Sequence, residues 1–300
     1  MDFLTVSVTS MKSVPNVEFR APSIKKSGVE ILDLELFYSR LPKYKVCPSH
    51  AHRINYFCFI YITEGEGGHF VDFKYHPFKK GSFIFVNKHQ VHAFDLKSRA
   101  KGKMINITED FLNKILANIR IPFFTPTHLV SSQQPLLALS SSLIKTCDNL
   151  LLEINKAQES ETDCQLLVQL LFSSLLVALA AERKTDVQHL SEAQALRFQQ
   201  FLLLIESHAA HTRDASGYGD MLHISYKSLN QLCKQASGQT AKQLIDAHAI
   251  LEIKRRLTIG SAKIQEIAYE LGFDDVTYFV KFFKRHTQLT PSQFRAKSVN

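Results

Sequence analysis

The sequence predicts an α+β protein in two parts: a small β-barrel or sandwich followed by helices, then an all-α part made of two helix, tight turn, helix units joined by a long helix. Three observations predict this. Residues from about 30 to 108 hold short aromatic and β-branched runs, "NYFCFIYIT" and "GSFIFV", bounded by the turn signals "EGEGG" and "VNKHQ". From Ala195 to the end every strong apolar pattern has the helical period. Three hundred residues, 45% hydrophobic and 21% charged, are enough for two domains with cores and exclude wholesale disorder.

Between these parts the pattern is helical. Residues 109–122 read as a helix that stops before Pro122, and "PFFTP" separates it from two longer patterns, Pro135–Lys156 and Asp163–Arg183. The run "CQLLVQLLFSSLLVALAA" (164–181) has nearly the length of a membrane span. However, Gln165, Gln169, Ser173, Ala180 and Arg183 fall three, four or seven apart and make a weak polar stripe. That pattern suits a heavily buried helix in a packing or dimer interface, and glutamine is costly in hydrocarbon, so no membrane partner is expected. "ERKTDVQHLSEA" (182–193) reads as a linker. The expected divisions are therefore 1–130 for the β part, 131–190 for the helical region and linker, and 195–300 for the paired units.

Five cysteines, odd in number and without CxxC spacing, argue against a disulfide framework or a zinc cluster and for a reducing compartment. The N-terminus opens with an acid and lacks a long apolar core, so no signal peptide is expected and a cytoplasmic location follows. The formal charge is +8, and from Ala195 onward 14 Lys/Arg face 9 Asp/Glu, a net of +5 on about a third of the chain. A basic excess gathered in one part favours a polyanionic partner there.

In the second helical unit Ile264, Ile267, Ala268 and Leu271 recur at helical spacing, and Gly272 supplies a left-handed helix end. Asp274 or Asp275 caps the next helix, where Tyr278, Phe279, Phe282 and Phe283 turn mostly inward. Val276, Thr277, Val280, Lys281 and Lys284 project the other way, on a helix of the kind that fits a major groove. The first unit runs from about Tyr218. A short helix through Asp220, Met221 and Leu222 leads to Ser225, the cap of "YKSLNQLCKQA", which Gly238 closes. Leu229, Leu232 and Cys233 pack inward, while Lys227, Asn230, Gln231 and Lys234 face out with groups that bond base edges and phosphates. "TAKQLIDAHAILEIKRRL" between the units reads as a helical spacer, able to hold two recognition helices about one DNA turn, roughly 34 Å, apart.

"KIQEIAYELGFDDVTYFVKFFKRHTQLTPSQFR" (263–295) and "LHISYKSLNQLCKQASGQTAKQLI" resemble the signature of AraC/XylS-type transcription regulators over residues 195–300. The resemblance implies base-reading sites at Lys227, Asn230 and Gln231 in the first unit, and at Val276, Thr277 and Lys281 in the second. Three departures stand out: Gln288 replaces the usual Gly, Lys281 the usual Arg, and Gly219 the usual Ala. Glycine inside a helix costs about 1 kcal/mol against alanine, so the leading helix of the first unit is expected to be loose. Lysine lacks arginine's planar bidentate contact, which alters readout at Lys281.

"PSHAHRINYFCFIYITEGEGGHFVDF" and "GSFIFVNKHQVHAFDL" resemble, less specifically, the cupin-like sensor domain of the same family. That implies a cupin-like barrel with an effector pocket at His50, His52, Tyr61 and His92. His50 and His52 are expected on one strand face, and His92 near a cupin's later metal histidine. The carboxylate and glycine spacing of a metal-binding cupin are missing, so neither metal nor cofactor is expected. The implied function is a DNA-binding transcription regulator, not an enzyme, with double-stranded DNA, RNA polymerase and a small-molecule effector as partners, acting as a homodimer. The alternatives are a cupin metalloenzyme with a helical appendage, and a constitutive regulator whose N-terminal domain only dimerises.

Overall fold

The computed structural model describes residues 15–17, 28–43, 46–118, 135–160, 164–183, 190–259 and 262–298. The described strands are β1 (Asn16–Val17), β2 (Val29–Asp33), β3 (His52–Ile54), β4 (Phe57–Glu64), β5 (Glu66–Val71), β6 (Lys74–Lys79), β7 (Ser82–Val86), β8 (Val91–Phe94), β9 (Lys101–Ile107) and β10 (Leu136–Ala138). The helices are α1 (Leu34–Ser39), α2 (Glu109–Asn118), α3 (Ser141–Glu159), α4 (Gln165–Arg183), α5 (Glu192–His208), α6 (Ala215–Met221), α7 (Tyr226–Ser237), α8 (Ala241–Ile259), α9 (Ile264–Glu270), α10 (Val276–Thr287) and α11 (Pro291–Ser298). Two compact units result, and each is described by itself.

The N-terminal unit stacks two five-stranded sheets, ordered β1-β3-β8-β5-β6 and β10-β7-β4-β9-β2. Strand β4 is apolar on both faces, and its period of two explains why. Cys58, Ile60 and Ile62 point between the sheets toward Ile54, Val71 and Phe78. Phe59 and Tyr61 point outward, where α2, α3 and α4 cover them through Phe111, Leu151, Phe172 and Leu176. This is the sandwich that the strand runs predict, two sheets that do not close into one barrel, and it agrees with the cupin-like domain that the resemblance implied.

Several local expectations are corrected. "EGEGG" is only in part a turn: Gly65 bends the chain at φ +88°, and β5 begins at Glu66, paired with Lys79 of β6. A Cβ on Gly68 would lie within 2.1 Å of the Tyr75 ring, so glycine there serves close packing inside a strand. The helix expected over Pro135–Lys156 is preceded by a strand. Leu136–Ala138 pair with β7, and α3 starts after Ser140, whose hydroxyl accepts the Leu143 N–H. Helix α1 lies within the stretch that reads as β. The far end of the 109–122 helix, the N-terminal dozen residues and half of the 182–193 linker lie outside the described residues.

Helix α4 does not show the expected stripe. Ala180 is buried and Gln169 and Ser173 are half-buried, whereas Leu166, Leu167, Leu170 and Val177 are exposed. The helix is long and apolar enough to cross a membrane by length and composition, yet Val168, Phe172, Leu175, Leu176 and Leu179 are buried against the sheet and α3.

The C-terminal unit has two cores, one around Phe201, Tyr218 and Leu229, the other around Ile253, Phe273 and Phe279. Helix α8 contributes to both, through Leu244 and Ile245 in the first and Ile253 and Leu257 in the second. A residue not singled out in the sequence adds a second tie. The Arg213 guanidinium donates to the carbonyls of Leu271 and Gly272, both at 3.0 Å, and stacks 3.6 Å over the Phe273 ring. Desolvation holds its pKa below the usual value, with opposing help from Tyr278 and Asp274. Gly272 is left-handed at φ +71°, and a Cβ there would meet the Ala210 carbonyl at 1.9 Å. The loop before α6 therefore docks against the turn of the second unit.

Candidate nucleic-acid interface

Each recognition helix begins at a side-chain cap. Ser225 Oγ accepts the Ser228 N–H at the start of α7. Asp275, rather than Asp274, caps α10, accepting from Thr277 N–H at 2.8 Å and Tyr278 N–H at 3.1 Å. The bond from Thr277, ahead of that from Tyr278, holds the Asp275 carboxyl below the usual range. Both helices end at a left-handed residue, Gly238 at φ +71° and Gln288 at φ +61°.

Inward faces match the expectation for Leu229, Leu232, Cys233, Phe279, Phe282 and Phe283, all buried. Tyr278 differs: it is half exposed, at the edge of the aromatic core. On the outward face of α7, Lys227, Gln231 and Lys234 are exposed, and with Tyr226, Asn230 and Gln235 they line an open hollow of about 560 Å³. Tyr226 and Gln235 were missed in the sequence, although an exposed tyrosine directly after a helix cap was a usable signal. Asn230 is half-buried, and its Oδ1 accepts the Ala241 N–H at 2.9 Å.

On α10, Thr277, Lys281 and Lys284 are exposed. Val276 and Val280 are half-buried and pack against the second core, so they project less than their spacing suggested. Gly219 also departs from expectation. It is buried, and a Cβ there would come within 2.8 Å of the Ile224 carbonyl, so it lets the turn fold close over α6 rather than loosening the helix.

The histidines of the N-terminal unit assemble differently from the sequence reading. His52 and His92 sit opposite each other on β3 and β8, with ring centroids 4.3 Å apart. His69 of β5, unforeseen, joins them, its Nε2 lying 3.2 Å from His92 Nδ1. All three are buried and share the inner strand face with Ile54, Val71 and Phe94. His50 is in the loop before β3, not on the strand, and its carbonyl accepts the His52 Nδ1–H at 2.9 Å. Tyr61 is on the opposite face of its sheet, donating to Asp148 of α3 at 2.9 Å, and does not belong with the histidines. Burial holds His52 below its ordinary pKa, pushes His69 down to about 3 and takes His92 well below, with mutual repulsion adding to the last two. No group among the described residues has the arrangement of a metal site.

Two family descriptions match this chain: an AraC-like ligand binding domain over residues 31–176 and a helix-turn-helix domain over 218–297. Among curated proteins, the HTH-type transcriptional activator RhaS of Escherichia coli (strain K12) is 23% identical over 250 residues, 83% of this chain and 87% of that protein. Among solved structures, wild-type ToxT from Vibrio cholerae strain SCE256 is 16% identical at a TM-score of 0.44, covering 89% of this chain and 94% of its own. The C-terminal domain of the response regulator yesN from Fusobacterium nucleatum subsp. nucleatum is 28% identical at a TM-score of 0.31, covering 35% of this chain and 99% of its own.

Proposed function

This chain belongs to the AraC/XylS-type family of transcription regulators, and we propose that it is a sequence-specific, cytoplasmic activator whose N-terminal unit responds to a small-molecule effector. The observation that carries the reading is the pair of recognition helices, each capped, each with an exposed polar edge, within residues 195–300 of net charge +5. Lys227, Gln231, Thr277 and Lys281 are the proposed base contacts, with Lys234 and Lys284 at the phosphates and Val276 offering only an apolar edge. The effector would enter between the sheets, beside His52 and His92 and now His69, and act by shifting the population of DNA-competent molecules. RNA polymerase and a second copy of the chain are the proposed protein partners. RhaS is named an activator, which supports that sign of regulation here.

Selection of duplexes from a random pool by the full-length protein tests the reading. A single enriched motif is expected, bound with an affinity that drops steeply with salt as phosphate counterions are released. An unenriched pool, or affinity indifferent to salt, overturns it.

A further inference from the structure

The structure assigns Asn230 a task different from that of its neighbours: it is a positioning residue that latches the first recognition helix to α8 and does not itself choose the base. The DNA half of this inference deepens the reading above and rests on it; the latch does not.

The two units share a set of corresponding bonds. Gly238 N–H donates to the Lys234 carbonyl as Gln288 N–H does to Lys284. Ser237 Oγ donates to the Cys233 carbonyl at 2.8 Å, and Thr287 Oγ1 to Phe283 at the same distance. Thr240 and Gln243 form a reciprocal cap at the start of α8, and Thr290 and Gln293 form the same cap at the start of α11. In this register Asn230 corresponds to Val280, and Ala241 to Pro291.

Those two positions differ together, and the chemistry of a helix start explains the pairing. Ala241 is the first residue of α8, and its N–H is one of the donors that a helix cannot satisfy internally. It is fully buried, so leaving that donor unpaired would be costly, and Asn230 Oδ1 accepts it. Pro291 occupies the same place in α11 and has no N–H to satisfy. Opposite it stands Val280, an apolar side chain packed on the core. Asparagine with alanine, or valine with proline, is a complete arrangement; either mixture leaves a polar group or a backbone donor without its partner.

The latch also limits what Asn230 reads. A bidentate contact with adenine needs the amide to offer one acceptor and one donor. Oδ1 keeps a second lone pair, but its bond to the Ala241 N–H holds the amide against α8 at the rim of the hollow that Lys227 and Gln231 also line, so Asn230 is not free to turn to a base edge.

The test uses full-length N230V, A241P and N230V/A241P, with N230A as a second single change, read by thermal melting and duplex selection. N230V and N230A should each lower the melting midpoint of the C-terminal unit by about 4–8 °C, the shift expected from losing one helix-start bond. The double variant should recover most of that loss. N230V should weaken all duplexes by a similar factor and leave the enriched motif unchanged. Additive effects in the melts would overturn the inference. So would an N230V protein that loses preference at a single adenine while its midpoint stays unchanged. Non-additive melts in a protein that selects no duplex would uphold the latch and sink the DNA reading instead.

Discussion

At the residue scale, the two recognition helices carry a natural comparison. Gly238 and Gln288 end α7 and α10 in the same left-handed conformation, but only one is glycine. A side chain in that region costs roughly 1–2 kcal/mol. No atom lies within 4 Å of a Cβ placed on Gly238, so Gly238→Ala should lose stability through backbone strain alone, by about 1 kcal/mol. Gln288→Gly should gain somewhat less than that, because glycine also frees the unfolded chain. Urea unfolding of both variants reads the signs directly, and a stabilised Gly238→Ala would contradict the account. The histidine cluster makes a second prediction. Folded His69 titrates near 3, and His52 and His92 are lowered, whereas an unfolded histidine titrates near about 6.5. As pH falls below that value the unfolded chain takes up protons that the folded unit refuses. Stability of the N-terminal unit is therefore full above about pH 6.5 and declines below it, approaching about 1.4 kcal/mol per pH unit for an imidazole held as low as His69. Melting midpoints measured from pH 7.5 to 5 should fall, and should fall less in His69→Phe.

At the scale of elements, α4 has more apolar surface than its own unit covers. Leu167, Leu170 and Val177 are spaced three and seven apart, all nearly half exposed or more, with Leu166 beside them at 68%. Leu171 and Leu175 turn inward instead; Leu175 is fully buried. An apolar stripe of this kind on a helix fits its own counterpart across a two-fold axis. The double change Leu167→Glu with Leu170→Glu should convert a dimer to a folded monomer in sedimentation. A wild-type protein monomeric at micromolar concentration would end this proposal. Dimerisation would also raise DNA avidity without any new base contact.

For the whole molecule, the ties between the helical units matter more than either unit alone. Helix α8 spans about 28 Å at the usual rise of an α-helix. It shares side chains with both cores, and Arg213 bonds across to the second turn. Two recognition helices held in one body should read two parts of one site. Lys227→Ala or Gln231→Ala should relax preference in one part, and Thr277→Ala or Lys281→Ala in a part about one helical turn away, each at a cost of about 1–3 kcal/mol where a base contact is lost. Binding profiles across a set of single-base variants would show it. Both pairs acting on the same base pairs would refute the arrangement.

What the sequence determined by itself was whatever local physics writes plainly. The aromatic and β-branched strand runs, the cap at Ser225, the glycine ends at Gly238 and Gly272, and the inward phenylalanines of α10 are each governed by neighbours within a turn or a pleat, whereas the choice of Asp275 over Asp274 as the second cap was left to the fold. Tertiary structure decided the rest. Helix periodicity placed Asn230 on the outer face, but only the fold brought the Ala241 N–H to its oxygen. The aromatic and β-branched run put Tyr61 in β4 without saying which face met the helices, and a strand covered on both sides carries no polar signal to tell them apart. His69 joined His52 and His92 because β5 lies beside β8, a neighbour relation set by the order of strands in the sheet and not by distance along the chain. Helix α4 is leucine-rich all round, so its sequence could not tell the buried side from the bare one; the sheet beneath it did, by covering Phe172 and Leu175 and leaving Leu166, Leu167 and Leu170 to solvent.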